Sequence, residues 1–539
     1  MPHGGNTALS YLLSSNAVPN PCEAASIQAE IDSLTSQISE LRARLKKREK
    51  NLRLYRATLS PVRRVPAEIW AEIFAFVLPQ KLFDKGDREE LMDLQLVCKT
   101  WRNAARLKHR LWSGLFIGLD GFPPVEKIVE WLSRSAGVPR SLRVDLRECE
   151  DCEEQDSPCR AHNSALAALL ANGGSLHHLS LVCRDPQCFQ ILLDSLEAVD
   201  GPLTNRPWDS LRSLTCTFLH EWTESPDPSK SIFMSLPPNI TSFELRLPEK
   251  YSAFSHESES AAIPLNIPPR FLEQLTSFSL SSDWEGLKWL ECTLPFCTNV
   301  ENLSIDFDYS WWQYEGSRND VQQRLGSGFL LPKVRTLSLQ NVFSPSLDIL
   351  SFLKTPHLVD LDISAGDNGE DMDCELTDLV LQFIKRSNCE ASFRCFRLRN
   401  TRLDAEQLAD TLRGLPFLTH LTLEDVAVVE SNYRDVFGLL KEDVQPSLQH
   451  LEVLELLNLD HKFSKFSLVK FLESRRPFTM ENGKPSFEGP PDTLKRLKVT
   501  FEPAVNSKRR QHIDTDDVIQ VLKKWCGVSV HIGPITYVD

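Results

Sequence analysis

The sequence has no run of 18 apolar residues, so it predicts no helix that spans a membrane. Its first residues lack the basic start and the long apolar stretch of a secretory signal. The 14 cysteines are scattered rather than spaced as a disulfide framework, which is typical of free thiols in a reducing compartment. We therefore expect a protein of the cytoplasm, the nucleus or both.

Motifs of catalysis are also absent. The sequence contains neither the phosphate-binding pattern G-x-x-x-x-G-K-[ST] nor the nucleophile turn G-x-S-x-G. With 60 basic and 74 acidic residues and a formal net charge of −14, it lacks the positive charge with which nucleic-acid binders neutralise phosphates. These absences predict a protein that is not an enzyme and has no cofactor, no nucleic-acid partner and no membrane partner.

One spacing is typical of a metal site. Cys149, Cys152, Cys159 and His162 form two pairs that could supply four tetrahedral ligands to zinc. The alternative is a set of free surface thiols in an acidic connector. We favour this alternative because cysteines are plentiful in the chain, and so we predict no metal.

Residues 26–59 contain neither Gly nor Pro and predict one long helix, preceded by disorder over residues 1–25. Its apolar side chains recur at alternating spacings of four and three residues, which is typical of a coiled coil. The members of this heptad seam, with one polar position, are Ile27, Ile31, Leu34, Ile38, Leu41, Leu45, Arg48, Leu52, Tyr55 and Leu59. One interpretation is a coiled-coil homodimer through residues 26–59. The alternative is a single helix that folds back on its chain or stays solvated.

Two shorter helices follow. Pro66 suits a first helical position, because its missing N–H would have had no partner there. A stripe of apolar residues then runs along residues 65–80, and a second helix, capped by Asp87, has a stripe that ends in Val97, Cys98 and Trp101. So many apolar groups in so short a unit usually mark a surface for a partner.

Residues 60–116 resemble the F-box, the helical module that binds the Skp-type adaptor of cullin-RING ubiquitin ligases. The matching elements are Val65-Pro66, Glu68-Ile69, Ile73-Phe74, Val77-Leu78, Val97-Cys98 with Trp101, and Leu111-Trp112. Val65 replaces the usual Leu, and residues 79–88 are longer than the usual connection. The resemblance implies an adaptor-binding surface made of Pro66, Ile69, Ile73, Phe74, Leu78, Val97, Cys98, Trp101 and Trp112. The alternative is a three-helix bundle that buries these residues within the chain.

From residue 176 onward one pattern recurs. The motif L-x-x-L-x-L, with Ile, Val, Phe or Cys at some positions, starts at Leu176, Leu211, Ile240, Leu275, Val300, Val334, Leu358, Phe393, Leu418, Leu451 and Leu494. Such regular recurrence indicates repeat architecture, in which each strand-and-helix unit buries its apolar positions by stacking on its neighbours. Residues 117–539 resemble degenerate leucine-rich repeats. A doubly wound α/β sheet is the alternative, although that fold does not normally reuse one motif so often.

Residues between and just after the motif leucines are predicted on one concave face, because side chains alternate along a strand. The candidates for binding a target protein are Glu244, Arg246, Asp306, Asp360, Asp362, Arg397, Arg399, His420, Glu424 and Glu455. A second candidate is the loop that carries Tyr309, Trp311, Trp312 and Tyr314, since exposed aromatic residues are common binding anchors.

The predicted fold class is α+β and multi-domain, with an N-terminal heptad helix, a small all-α F-box module and an α/β leucine-rich-repeat solenoid. This layout resembles the large F-box families of mushroom-forming fungi. The resemblance implies a substrate receptor of a cullin-RING ligase, which binds the adaptor, and through it a cullin, and presents a target protein for ubiquitination. The alternative is a non-catalytic scaffold that assembles complexes outside a ligase.

Overall fold

The computed structural model of the chain describes residues 5–15, 17–79, 81–118, 123–147, 159, 161–199, 206–222, 227–254, 263–284, 288–308, 328–366, 375–429, 448–459, 475, 478–481, 484–487, 493–501 and 529–534. The chain divides into two compact units. One consists of Met1–Phe76 and Asp93–Leu107, and the other of Val77–Met92 and Lys108–Asp539. No described helix is both long enough and apolar enough to cross a membrane.

The first two helices are α1 (Gly5–Ser15) and α2 (Pro21–Thr58). They include Gly5–Ser15 and the residues from Pro21 onward, which are part of the range 1–25 for which the sequence predicts disorder. Asn20 and Glu23 explain the early start of α2: each side chain accepts a hydrogen bond from the other residue's backbone N–H at 2.9 Å, which forms a capping box. Pro21 then occupies the first turn, where it costs no hydrogen bond. Helix α2 contains no buried residue.

Three short helices follow: α3 (Ala67–Val77), α4 (Lys85–Val97) and α5 (Lys99–Leu107). The sequence predicted one helix where the structure has α4 and α5. The break falls at Cys98, whose Sγ accepts a hydrogen bond from the backbone N–H of Trp101 at 3.5 Å and so caps α5. The periodicity of Val97, Cys98 and Trp101 therefore crosses a helix boundary.

The strands are β1 (Gly114–Ile117), β2 (Ser141–Leu146), β3 (His178–Cys183), β4 (Ser213–Phe218), β5 (Ser242–Arg246), β6 (Ser277–Ser281), β7 (Asn302–Asp306), β8 (Phe329–Leu330), β9 (Thr336–Val342), β10 (Leu353–Lys354), β11 (Asp360–Ala365), β12 (Cys395–Asp404), β13 (His420–Val429), β14 (Val453–Leu459), β15 (Phe478–Glu481), β16 (Lys484–Phe487), β17 (Arg496–Phe501) and β18 (Ser529–Pro534). Fourteen of them form one sheet in the order β1-β2-β3-β4-β5-β6-β7-β9-β11-β12-β13-β14-β17-β18. All eleven predicted motif strands are confirmed in it.

Every neighbouring pair in this sheet is parallel. The order follows the chain without a reversal, whereas a doubly wound sheet reverses at a switch point. The second unit is therefore a leucine-rich-repeat-like α/β sheet. The sheet of this unit begins with β1 at Gly114, three residues before residue 117, where the sequence predicts the start of the repeats.

The connections carry helices of uneven length. They are α6 (Val125–Ser133), α7 (Ser164–Asn172), α8 (Pro186–Glu197), α9 (Lys250–Ala253), α10 (Pro269–Glu273), α11 (Lys288–Glu291), α12 (Glu375–Ser387) and α13 (Ala405–Arg413). Single turns of 3-10 helix also occur in the connections, some of them after an α-helix, as at Trp208–Ser210 and Leu294–Phe296, and some without one, as at Ile232–Ser235. The connections therefore differ from repeat to repeat, as the variable residues of the motif do.

Two rows of apolar side chains run across the sheet into the core. The register aligns Leu214, Phe243 and Phe278 in one row, and Cys216, Leu245 and Leu280 in the next. All six are buried to 1% exposure or less. Each repeat buries its apolar side chains against those of the neighbouring repeats, so the repeats stabilise one another.

Four strands contain a residue with left-handed backbone. Asn341, Asn400, Asp425 and Asn458 have φ values of 51°, 52°, 55° and 57°, and each lies within its strand, where it interrupts the alternation of side chains between the two faces. Asn and Asp tolerate this conformation better than other side chains.

We expect Asn400→Val to destabilise the second unit by about 1–2 kcal/mol, because a β-branched side chain is strained at positive φ. Asn400→Gly should be nearly neutral, since glycine adopts this backbone freely. The measurement is the urea midpoint of both variants. Equal midpoints for the two would contradict the conformational explanation.

Candidate functional site

Helix α3 has two apolar faces. On one, Trp70 and Phe74 contact Trp101 of α5 at ring-centroid distances of 4.6 and 5.3 Å, and this aromatic cluster holds α3 against α5. On the other, Ile69, Ile73 and Phe76 are exposed by 51%, 40% and 92%. Their spacing of four and three residues places them on one side of the helix. We call this set the apolar α3 face.

The junction of α4 and α5 adds further exposed apolar groups to the same compact unit. Leu96 and Val97, the last residues of α4, are exposed by 72% and 60%. Cys98 is also exposed, and its role within the chain is to cap α5 rather than to pack. Large apolar side chains this open to water are costly to keep exposed unless a partner covers them.

The predicted adaptor-binding residues fall into two groups. Those that are exposed or half-buried are Pro66, Ile69, Ile73, Val97, Cys98 and Trp101. Phe74, Leu78 and Trp112 are buried to 4% exposure or less, so a partner cannot reach them in this conformation. Phe76 and Leu96 were not predicted, although both stand beside apolar positions that were.

Trp112 has a structural role in the second unit. Its ring lies 4.7 Å from that of Trp131 in α6, and the guanidinium of Arg134 lies 4.6 Å from the Trp112 ring centroid. The tilted ring pair, the cation–π contact and the hydrogen bond that Trp131 Nε1 donates to the Gly114 carbonyl at 3.1 Å hold α6 beside the first strand of the sheet. Trp112, the last residue of the F-box-like pattern, therefore packs within the second unit.

The four metal candidates are not brought together in the described residues. Cys149 and Cys152 lie outside them. Cys159 Sγ lies 3.8 Å from Cys188 Sγ, and His162 Nδ1 lies 3.0 Å from Ser195 Oγ, both on α8. Within the part of the chain that the structure covers, no three His, Cys, Asp or Glu residues are arranged to hold a metal ion.

The ten predicted target-binding residues lie on the side of the sheet opposite the apolar rows. We call this side the open face. The register aligns Ser338, Asp362, Arg397, Thr422 and Glu455 in one row between the two buried rows. Their placement follows the predicted alternation, and their role in binding stays a prediction. The aromatic loop of Tyr309, Trp311, Trp312 and Tyr314 lies outside the described residues.

Asp362 is the centre of a charge cluster on the open face. Arg399 donates to its two carboxylate oxygens, from Nε at 3.1 Å and from Nη2 at 2.6 Å, and Arg399 Nη2 also donates to Gln340 Oε1 at 3.2 Å. Arg397 Nη1 lies 3.7 Å from the same carboxylate. The Asp362 side chain is only 12% exposed, so the two arginines compensate a nearly buried charge.

The acidic side chains of the open face lie deeper than the arginines that pair with them. Glu244 is 33% exposed and its partner Arg246 57%. Glu455 is 15% exposed and its partner Arg496 56%. Arg397 is 46% exposed above Asp362. At these three places the more exposed charge is therefore an arginine.

Other predicted residues are held locally. Asp306 Oδ1 accepts hydrogen bonds from Asn341 Nδ2 at 2.8 Å and from the backbone N–H of Asp308 at 2.9 Å. Burial raises the pKa of Asp360, while Arg397 lowers it less strongly. His420 and Glu424 lie on the open face of β13. Arg496 was not predicted, although it occupies the same motif position as the predicted residues Asp360 and His420, directly before the second motif leucine.

The carboxyl group of Asp283 should make the folding stability of the second unit depend on pH. Burial raises the pKa of Asp283 from its ordinary 3.8 to about 6, although the Lys250 backbone N–H donates to its carboxylate at 2.8 Å. Because its pKa is raised, the folded state prefers the protonated carboxyl of Asp283. The contribution of Asp283 to the free energy of unfolding is therefore complete below about pH 4 and is lost as the pH rises to about 6. Asp283→Asn, which can still accept the Lys250 N–H, should therefore be more stable than wild type near neutral pH, by up to about 3 kcal/mol.

Urea unfolding of Asp283→Asn and wild type at acidic and neutral pH measures this difference. The midpoints should separate only at neutral pH. A separation of the same size at both pH values would show that the ionisation of Asp283 is not its cause.

Comparison with known proteins adds little. No protein-family model matches the chain, and no curated protein matches it. Among solved structures, the crystal structure of the TLR13–ssRNA13 complex aligns with 14% identity and a TM-score of 0.22 over 79% of this chain. The chain spans 65% of that protein's length. So low a TM-score carries no inference about the fold or the function of this chain.

Proposed function

We propose that the chain is a substrate receptor of a cullin-RING ubiquitin ligase. The observation that carries the proposal is the exposure of Ile69, Ile73 and Val97 at the positions that resemble adaptor contacts of an F-box. Phe76 on the apolar α3 face and Leu96 beside Val97 are exposed as well. A receptor of this kind works in the cytoplasm or the nucleus and performs no catalysis itself.

The energetics favour a protein partner for these groups. Covering one large apolar side chain contributes roughly 1.5–3 kcal/mol. Phe76, which is 92% exposed, offers the largest uncovered ring of α3 and is the proposed anchor. Ile69 and Ile73 lie on the same face of the helix and add further apolar area for the Skp-type adaptor to cover.

The open face of the sheet is the proposed holder of the target protein. It offers arginines above partly buried carboxylates, in a row fixed by the sheet register. Charges fixed in this way discriminate among partners more than they add affinity. Binding the adaptor with one surface and a target with another raises the local concentration of target lysines near the ubiquitin-loaded enzyme.

Gel filtration of the purified chain with a purified Skp-type adaptor, and then with a cullin, tests the assembly. The proposal predicts a complex with the adaptor and a larger complex once the cullin is added. Adaptor binding that excludes the cullin would favour the scaffold alternative. A chain that elutes alone in both mixtures would contradict the proposal.

A further inference from the structure

Helix α2 carries an uncovered apolar seam. Among its members, Ile31, Leu34, Ile38, Leu41, Leu45 and Leu52 are exposed by 47–61%. No residue of the helix is buried, so nothing in the described chain covers the seam. Between Ile27 and Leu59 it extends over about 48 Å, at the helical rise of 1.5 Å per residue.

We propose that a second copy of this chain covers the seam, and that the two α2 helices form a parallel, in-register, two-stranded coiled coil. The heptad places Ile31 and Ile38 at a positions, and Leu34 and Leu41 at d positions. In parallel coiled coils, a β-branched residue at a with leucine at d favours two strands over three or four.

The charges beside the seam select the parallel orientation. Arg44 occupies a g position and Glu49 the following e position, which face each other across a parallel in-register dimer. The dimer therefore gains two opposite-charge pairs. Within one helix Arg44 also contacts Glu40 at 2.5 Å, but both side chains are more than 60% exposed, so this contact holds Arg44 only weakly.

An antiparallel dimer of the same overlap would oppose like charges. It would set Arg44 against Arg44 and Arg42 against Arg42 of the other copy, and Arg48 against Ile38. The acidic residues Asp32 and Glu40 lie at b and c positions, which point away from the seam and cannot compensate. In the parallel dimer Arg48 occupies a d position, where its long stem lets the guanidinium reach water and its polarity resists a shift of register.

Light scattering coupled to gel filtration of the full chain tests the dimer. The wild type at micromolar concentration should have twice the 61.3 kDa mass of one chain. Leu34→Asp with Leu41→Asp should reduce it to one chain. Leu54→Asp is the matched control, because Leu54 is 57% exposed on the same helix but outside the seam, and it should leave the dimer intact.

Charge exchange tests the orientation. Glu49→Lys should weaken the dimer about tenfold by turning two attractive pairs into repulsive ones, and Arg44→Glu with Glu49→Lys should restore most of the affinity. A wild type that is monomeric or forms a larger oligomer, a seam variant that stays dimeric, or a Glu49→Lys variant with unchanged affinity would each overturn the proposal.

Discussion

Replacing Ile73 by Asp should weaken binding of the Skp-type adaptor about a thousandfold, because a charge in a contact that excludes water costs about 4 kcal/mol. Ile73 lies at the centre of the apolar α3 face, between Ile69 and Phe76. It is already 40% exposed in the free chain, so the change should cost little folding stability. Isothermal titration calorimetry with the purified adaptor measures the effect.

The matched control is Met234→Asp, which introduces the same charge at a residue that is 57% exposed in the second unit. This variant should bind the adaptor as the wild type does. A melting temperature of Ile73→Asp close to that of the wild type separates lost contact from lost folding. Unchanged affinity in a folded Ile73→Asp variant would remove the apolar α3 face from the adaptor contact.

On the open face, Arg399→Glu should destabilise the second unit by about 3 kcal/mol, because it leaves the nearly buried Asp362 beside a second negative charge. Arg397→Glu should cost less than about 1 kcal/mol, since Arg397 is 46% exposed and lies farther from the carboxylate. Of the two, Arg397→Glu is the variant that should reduce capture of a target protein while the fold is kept. Urea unfolding and quantitative pull-downs measure the two effects.

Arg402→Glu serves as a control for capture, because Arg402 is an exposed arginine of the same strand, β12, beyond the row that contains Arg397. Adaptor binding should be unchanged in all three variants. If Arg397→Glu captures the same proteins in the same amounts as the wild type, the open face around Asp362 does not recognise targets. Equal stabilities of Arg397→Glu and Arg399→Glu would contradict the assigned pairing.

Periodic features could be predicted from the sequence. The eleven motifs became neighbouring strands because a spacing of two residues fixes the buried side of each strand, and recurrence fixes their order. The long helix followed from its uninterrupted heptads. The break at Cys98 could not be predicted, since its side chain caps α5 at a position that also suits the apolar stripe.

Contacts between distant residues could not be predicted in this way. Ile69, Trp70, Ile73 and Phe74 form one apolar stripe in the sequence, but Trp70 and Phe74 pack against Trp101 while Ile69 and Ile73 stay exposed. The same limit applies to the open face. Alternation gave the side on which Asp362 and Arg399 lie, whereas their bidentate pairing depends on the register of two strands.

Affinity purification of the tagged full chain from cells, followed by quantitative mass spectrometry, tests the central claim most directly. Wild type, Ile73→Asp and Met234→Asp are compared under the same conditions. The account predicts that the Skp-type adaptor and a cullin are both recovered with wild type and Met234→Asp, and that both are lost with Ile73→Asp. Recovery of neither protein with the wild type, or of both with Ile73→Asp, would contradict it.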